Sequence, residues 1–492
     1  MGSQTSYLSK SLFLRGLQCH KSLFLKKYHP EFSDKISQSQ EMLFQSGTNV
    51  GLFARQRFQD GIEIPFENLS ITEQIDLTVT EINRGSSTLY EAAFSYDEVF
   101  VKVDILHKGK SGWEIYEVKS STEIKDINIF DLAVQYYVLK GSGLPISKAS
   151  LVHINNEYVR EGYIEVNKLF ATQNLTDLVK EKQDIIIGEL KQQKLMLSCE
   201  MPAIDIGEHC SDPYECDFQG YCWKHIPEES IFSLRGRGID KFEFYRNGII
   251  GLKELNPEVL NDQQRMQLEA ALQKKNFINR EGIREFLDSL WYPLYFLDFE
   301  TFMTPIPPFD GTKPYQQIPF QYSLHYIPDK TAVLGHHEFL ASQGIDPREA
   351  LLQKLLIEIP DNACVLAYNS SFERNVLESL RDSFPQYKEK IERIVNNMRD
   401  LMVPFRNRDV YFWQMNGSYS IKAVLPVLVP DLSYGGLEIS DGGMAMEAYF
   451  KMCKYDDPVE IQKNREALLA YCGLDSLAMV RILNKLIEIV SE

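Results

Sequence analysis

The stretch "LYFLDFETF", residues 294–302, places two carboxylates inside an otherwise apolar run. Side chains alternate across a strand, so Asp298 and Glu300 share one face while Leu297 and Phe299 share the other. Two carboxylates on one face of a buried strand repel unless a positive charge lies between them, and a divalent metal ion is the natural candidate. Whatever fold the chain adopts has to bring further groups to that face.

Two later stretches offer such groups. "VLAYNSSFERNVLESL" puts Asn369 at a strand-to-helix junction and Glu373 at the start of the helix. "YCGLDSLAMV" sets Tyr471 and Asp475 four residues apart, on one face of the last helix. Together they can gather four carboxylates around two metal ions roughly 4 Å apart, which stabilises the attacking and leaving oxygens at a phosphorus centre. This constellation resembles the DnaQ-like 3′–5′ exonucleases, which have an RNase H-like fold. The resemblance implies that Asp298, Glu300 and Asp475 hold Mg²⁺ or Mn²⁺. It also implies that Tyr471 orients the attacking water, as in the subfamily with tyrosine at this place. Glu373 stands where the family has aspartate. "MRDLMVPF" and "SYSIKAVLP" resemble the strand and helix between the second and third motifs. Asp400 is read as a structural residue at a strand end.

The N-terminal half shows a parallel pattern. "QIDLTVTEI", "TLYEAAFSY", "VFVKVDILHK" and "WEIYEVKSS" read as strands, "IFDLAVQYYVLKGSG" as a helix and "KASLVHIN" as a further strand. The preceding "KSLFLRGLQCHKSLFLKKY" reads as helical. Asp104 ends one strand, and Glu117 and Lys119 share a face of the next. Two carboxylates can hold a metal near a phosphate, and a lysine beside them can orient water and offset charge. This series resembles the RecB-like nucleases of the PD-(D/E)XK superfamily, in which the following helix carries glutamine and tyrosine, here Gln135 and Tyr136. The resemblance implies that Asp104 and Glu117 bind metal. Gly47 is followed by Gly51 where the family often has a histidine ligand, and Glu91 is offered as a substitute oxygen.

"CSDPYECDFQGYCW" spaces Cys210, Cys216 and Cys222 at five-residue gaps in a turn-rich loop. A fourth ligand has to come from elsewhere: Cys19 is the candidate and Cys199 the substitute. Four thiolates can hold Zn²⁺ or a [4Fe–4S] cluster, and spacing does not choose. The cysteines resemble those of CRISPR-associated and AddB-type members of the RecB-like group, one before the nuclease core and three after it, which implies a structural [4Fe–4S] cluster. The first gap is longer here than is usual there. Cys364, Cys453 and Cys472 read as core residues, and His209 and His225 as surface residues.

A chain of 492 residues is too long for one core. The expected layout is α/β throughout: a PD-(D/E)XK restriction-endonuclease-like domain with its cysteine cluster over 1–228, a helical connector over 229–289, and an RNase H-like exonuclease domain over 290–492. The last of these resembles a domain of unknown function found fused to such nucleases. Net charge is −17, which argues against a generally basic nucleic-acid binder but fits an enzyme that collects metal on carboxylates. No apolar run has membrane-spanning length and no signal peptide is read, so a cytoplasmic location is expected. Gly2 and Ser6 fit the short myristoylation pattern. The expected function is a two-site nuclease acting on single-stranded DNA or DNA ends. The alternatives are a silent N-terminal DNA-binding module that feeds the exonuclease or a partner complex, and an RNA exonuclease.

Overall fold

The computed structural model describes residues 7–36, 38–454 and 456–491, so Gly2 and Ser6 lie outside the described residues. The chain is mixed α/β and divides into two units, Met1–His225 with Thr304–Gln316, and Ile226–Met303 with Gln317–Glu492. Residues 229–289, expected as a connector, group with the second unit; Ile231, Leu234, Leu252, Leu255, Leu260 and Leu268 form a small core there. Residues 304–316 of the expected C-terminal domain group with the first.

In the first unit, β1 (Leu8–Ser9) leads into α1 (Lys10–Gln18), α2 (His20–Tyr28) and α3 (Gln38–Arg55). The helical run breaks at Cys19, whose extended backbone caps α1 and opens α2. Next come β2 (Ile62–Glu63), α4 (Ile71–Arg84), β3 (Thr88–Tyr96), β4 (Val99–Lys108), β5 (Trp113–Lys119), α5 (Asp126–Gly141), β6 (Ile146–Ile154) and β7 (Phe170–Asn174). The sheet order is β2-β3-β4-β5-β6-β7, with β1 beside β4. The meander β3-β4-β5 is antiparallel and β6 joins β5 in parallel. One face packs Leu89, Val101, Val103 and Ile115 beneath α1 and α5, and the other packs Ile105, Tyr116, Val152 and Ile154 with Val50 and Ala54 of α3.

"QIDLTVTEI" belongs to α4 and is not a strand. Its alternation misleads because a capping box, Ser70 with Glu73, and a left-handed Gly85 at the other end set helical boundaries. Buried Gln74, Thr78 and Glu81 then recur at helical spacing. The segment 304–316 is held to this unit by main-chain and side-chain bonds. Arg160 Nη1 donates to Pro307 O at 3.1 Å and to Pro308 O at 2.5 Å, and the Tyr315 hydroxyl donates to Ser120 O, one residue beyond Lys119.

The second unit contains β8 (Phe277–Ile278), β9 (Leu294–Phe302), β10 (Ile318–Ile327), β11 (Gly335–Leu340), β12 (Cys364–Ala367), β13 (Met398–Asp400) and β14 (Val410–Tyr411). Its main sheet runs β11-β10-β9-β12-β13; β11, β10 and β9 are antiparallel, and β12 and β13 continue in parallel. The D-x-E strand β9 is thus central and covered on both faces. Tyr295, Leu297 and Phe299 enter one core, and Leu294 and Phe296 enter the other against the helix Pro458–Ser491. That helix buries Leu468, Tyr471, Cys472, Asp475, Ser476 and Met479, a stripe at three- and four-residue steps that faces the sheet. Among the described residues no helix is long and apolar enough to cross a membrane.

Candidate functional site

On β9 the acidic pair continues the face of Leu294 and Phe296, so both carboxylates point toward the Pro458–Ser491 helix. Asp298 and Glu300 each place an oxygen, and Cys472 its sulfur, all within 4.8 Å of one another; among the described residues this is the only set of three such ligand atoms. Asp475, one helical turn beyond Tyr471, lies just outside that set but close enough to act on Asp298. Its Oδ1 accepts from the Tyr434 hydroxyl, and Tyr471 also bonds to it. Glu373 is buried in the first turn of the helix Ser371–Ser383, its Oε2 without a hydrogen-bond partner. Its charge reaches both Asp298 and Glu300.

The electrostatics follow from the crowding. Burial, then Asp475, Glu300 and Glu373, push Asp298 well above the usual carboxylate range. Burial and Asp475 push Glu300 up to about 8, burial carries Glu373 to about 8, and burial raises Asp475 to about 6. Lys422, on the helix Ile421–Leu428, pulls Glu300 and Asp475 the other way. Among the described residues, none of the four carboxylates forms an ion pair. Asp400 ends β13 and accepts the Asn369 and Met402 amides at 3.0 Å each, the structural role read from its position.

The N-terminal cluster is built differently. Glu117 and Lys119 leave β5 on one face, and Lys119 Nζ lies 2.7 Å from Glu117 Oε1 and 2.6 Å from Asp131 Oδ2. Lys10 Nζ, from the start of α1, lies 2.8 Å from Glu117 Oε1 and 2.9 Å from Asp131 Oδ1. Gln135 Nε2 donates to Glu117 Oε2 at 2.7 Å and to Asp131 Oδ1 at 3.0 Å. Asp104 Oδ2 accepts the Val118 amide at 2.7 Å. Burial, Asp104 and Asp131 raise Glu117 to about 7. Burial acts against the Asp131 charge as well, but Lys10 and Lys119 outweigh it and hold that group below its ordinary range.

Two residues expected at this site have other neighbours. Tyr136 faces the apolar core among residues such as Leu132 and Leu139, because only one side of α5 meets β5 at Glu117. Glu91, offered in place of the missing histidine, acts on Asp104, and its carboxylate pairs with Arg55 and Lys102 at 3.0 Å each. Gly51 sits in α3 with open space around it.

Cys19, Cys210, Cys216 and Cys222 line one cavity with Lys21, Phe218 and His209. Burial pushes the Cys19 and Cys222 thiols up, with the neighbouring sulfurs adding to it. The four come together because the Cys19 break between α1 and α2 meets the 210–222 loop, where Arg15 pairs with Asp217 at 2.5 Å. Cys199 is exposed and stands outside that cavity. His209, read as surface, is part of its lining. Cys364 is core as expected, whereas Cys472, also buried, donates toward Asp298 Oδ2 at 3.5 Å and forms part of the acidic site's wall.

Sequence reasoning missed Asp131, Lys10, Tyr434 and Lys422. Asp131 could have been found from its i, i+4 relation to Gln135. The other three come from remote or turn-rich segments whose placement only tertiary contacts decide.

Residues 295–420 match the family model described as "Domain of unknown function (DUF2779)". The match includes Asp298, Glu300 and Glu373 and ends before Lys422, Tyr471 and Asp475. No curated protein matches the chain.

Proposed function

We propose that the protein is a metal-dependent nuclease whose main site is the C-terminal acidic cluster, acting as a 3′–5′ exonuclease on DNA. The observation that carries this is the convergence of half-buried Asp298 with buried Glu300, Glu373 and Asp475, without an ion-paired partner among the described residues. Such a charge set calls for cations from outside. The strand order β11-β10-β9-β12-β13, three antiparallel strands followed by two in parallel, supports an RNase H-like assignment for this sheet.

In this reading Asp298, Glu300 and Asp475 would hold Mg²⁺ or Mn²⁺, and Glu373 would lend a further carboxylate. Bound ions would supply Lewis acidity and lower the pKa of the attacking water. Tyr471, which bonds to Asp475, would orient that water. Tyr434 fixes the Asp475 carboxylate, and Lys422 offsets part of the negative field where a phosphate has to enter. The test is shortening of 5′-labelled single-stranded DNA in Mn²⁺, with RNA of the same sequence alongside; preferential RNA degradation would move the substrate class to RNA.

For the first unit, the order helix, antiparallel meander, helix, parallel strand and the grouping of Asp104, Glu117, Lys119 and Gln135 support a PD-(D/E)XK nuclease. A second reading, a silent DNA-binding module, draws support from Lys10, which already neutralises the carboxylates. Cleavage products that survive Lys119→Ala unchanged favour that module. In the thiol centre the donor set of four sulfurs fits either metal. The resemblance of the four cysteines to those of the RecB-like group favours a [4Fe–4S] cluster. Absorbance near 400 nm in anaerobically purified protein tests it.

A further inference from the structure

The C-terminal acidic site contains a group that a hard cation does not call for, the Cys472 thiol. A core cysteine has apolar neighbours, as Cys364 has in the cluster with Leu294, Phe296 and Leu366. Cys472 is equally buried, yet its sulfur meets oxygen: it donates toward Asp298 Oδ2 at 3.5 Å and toward Asp298 O at 3.8 Å. The helix Pro458–Ser491 places it there, because Tyr471, Cys472 and Asp475 belong to the buried stripe that faces the sheet.

Two observations point from this thiol to a metal ion of the softer kind. The first is geometric. The sulfur and one oxygen each of Asp298 and Glu300 lie within 4.8 Å of one another. Tetrahedral zinc, with Zn–S of about 2.3 Å and Zn–O of about 2.1 Å, sets sulfur and oxygen about 3.6 Å apart. The 3.5 Å between Cys472 Sγ and Asp298 Oδ2 already matches that edge. The second is Glu373, only 3% exposed, whose Oε2 has no hydrogen-bond partner and whose charge acts on both Asp298 and Glu300. A buried oxygen left open beside three ligand atoms suits a fourth ligand, bound directly or through water.

We propose that Cys472 is a metal ligand, and that with Asp298 and Glu300 it binds a thiophilic dication of the Zn²⁺ class in competition with Mg²⁺ and Mn²⁺. The inference rests on reading this cluster as a metal site; it adds the sulfur and the class of ion, and it is independent of whether the site cleaves DNA. Carboxylates alone suit Mg²⁺ and Mn²⁺, and a thiolate moves the preference toward Zn²⁺. On binding, the S–H bond breaks, the S–Zn bond forms and the proton passes to solvent. Zn²⁺ seated on Asp298 and Glu300 occupies the oxygens that the harder ions need, so it closes the site to them.

The experiment titrates Zn²⁺, and Mn²⁺ in parallel, into the full chain and into its Cys472→Ser variant by calorimetry. The centre of Cys19, Cys210, Cys216 and Cys222 is common to both, so the difference between them belongs to Cys472. Cys472→Ser is expected to weaken one Zn²⁺ site by at least about a hundredfold, since a direct ligand is lost. Mn²⁺ affinity is expected to fall by less than about tenfold. Excess Mn²⁺ should weaken Zn²⁺ binding at that site, and Asp298→Asn should weaken both ions. Cd²⁺ gives a direct signature: its thiolate charge-transfer absorption should be larger in the full chain than in the variant. Unchanged Zn²⁺ affinity in Cys472→Ser, full Zn²⁺ affinity in Asp298→Asn, or Zn²⁺ binding that Mn²⁺ does not compete with overturns the proposal. An equal loss of Mn²⁺ and Zn²⁺ affinity in Cys472→Ser marks a structural role for the thiol and overturns it too. If Cys472→Ser does not fold, Cys472→Ala is read by the same criteria. Cleavage is scored separately: a Zn²⁺ site lost in Cys472→Ser, in a protein that shortens no DNA, supports the sulfur ligand and counts against the nuclease reading alone.

Discussion

The two acidic clusters use the same local device, carboxylates leaving a buried strand on one face, yet they balance charge in opposite ways. Around Glu117 and Asp131 the chain supplies its own cations, Lys10 and Lys119, at 2.6–2.9 Å. Around Asp298 and Glu300 the described residues supply Lys422, whose ammonium donates to Ser440 O at 2.7 Å and acts on the site from a distance. The consequence shows in the direction in which burial and neighbours shift each carboxylate. Asp131 is held low by its lysines, although burial still raises Glu117 to about 7, while Glu300 and Glu373 are pushed up to about 8. One cluster is closed by internal ion pairs; the other is left for ions from solution.

The comparison can be broken most sharply at Asp475. Asp475→Asn should cut exonuclease activity by at least about a thousandfold in Mn²⁺, with melting unchanged or raised, because it removes a ligand and one repelling charge. A variant that keeps activity within tenfold would place the metal elsewhere. Next in size is Lys119→Ala. Removing one partner of a buried ion pair should cost about 3 kcal/mol in chemical denaturation and abolish cleavage products that belong to the first unit. A loss below about 1 kcal/mol would mean that Lys10 alone satisfies the carboxylates.

A smaller effect sharpens the contrast through pH. Carboxylates raised in the folded state bind protons that the unfolded chain releases, so their stabilising contribution is complete below the ordinary values of 3.8 and 4.5 and fades toward about 8. Melting of the metal-free protein should therefore fall by several degrees between roughly pH 4.5 and 8 through these groups. Excess Mn²⁺ should remove most of that decline. A decline of equal size in EDTA and in Mn²⁺ would show that the C-terminal carboxylates do not take the ion. The smallest change expected is for Cys472→Ser. Its sulfur faces Asp298 Oδ2 but suits softer ions than Mg²⁺, so activity in Mg²⁺ should stay within about threefold. A larger loss would make the thiol a working ligand.

Much of this was legible in the sequence because it depends on short-range pattern. The alternation in "TLYEAAFSY" and "VFVKVDILHK" marks β3 and β4 to the residue, and the D-x-E and Y-x-x-x-D spacings set which faces the acids occupy. The α4 segment reads as a strand because Ile75, Leu77 and Val79 alternate by chance, while its helix-defining caps, Ser70 with Glu73 and Gly85, lie beyond the alternating run. Lys10 and Tyr434 carried no signal. Each is an ordinary residue in an ordinary local context, and only long-range packing brings it to a carboxylate. The excursion of residues 304–316 was equally silent, since Arg160 and Ser120 hold it through backbone carbonyls that no side-chain pattern reports.

The central claim is that Asp298 and its neighbours take divalent ions from solution to hydrolyse a sugar-phosphate chain from its 3′ end. The most direct measurement incubates 5′-labelled single-stranded DNA with Mn²⁺ and either the full chain or its Asp298→Asn variant. A stepwise ladder of 3′-shortened products from the first and none from the second is the predicted result; identical ladders, or no shortening by either, would contradict it.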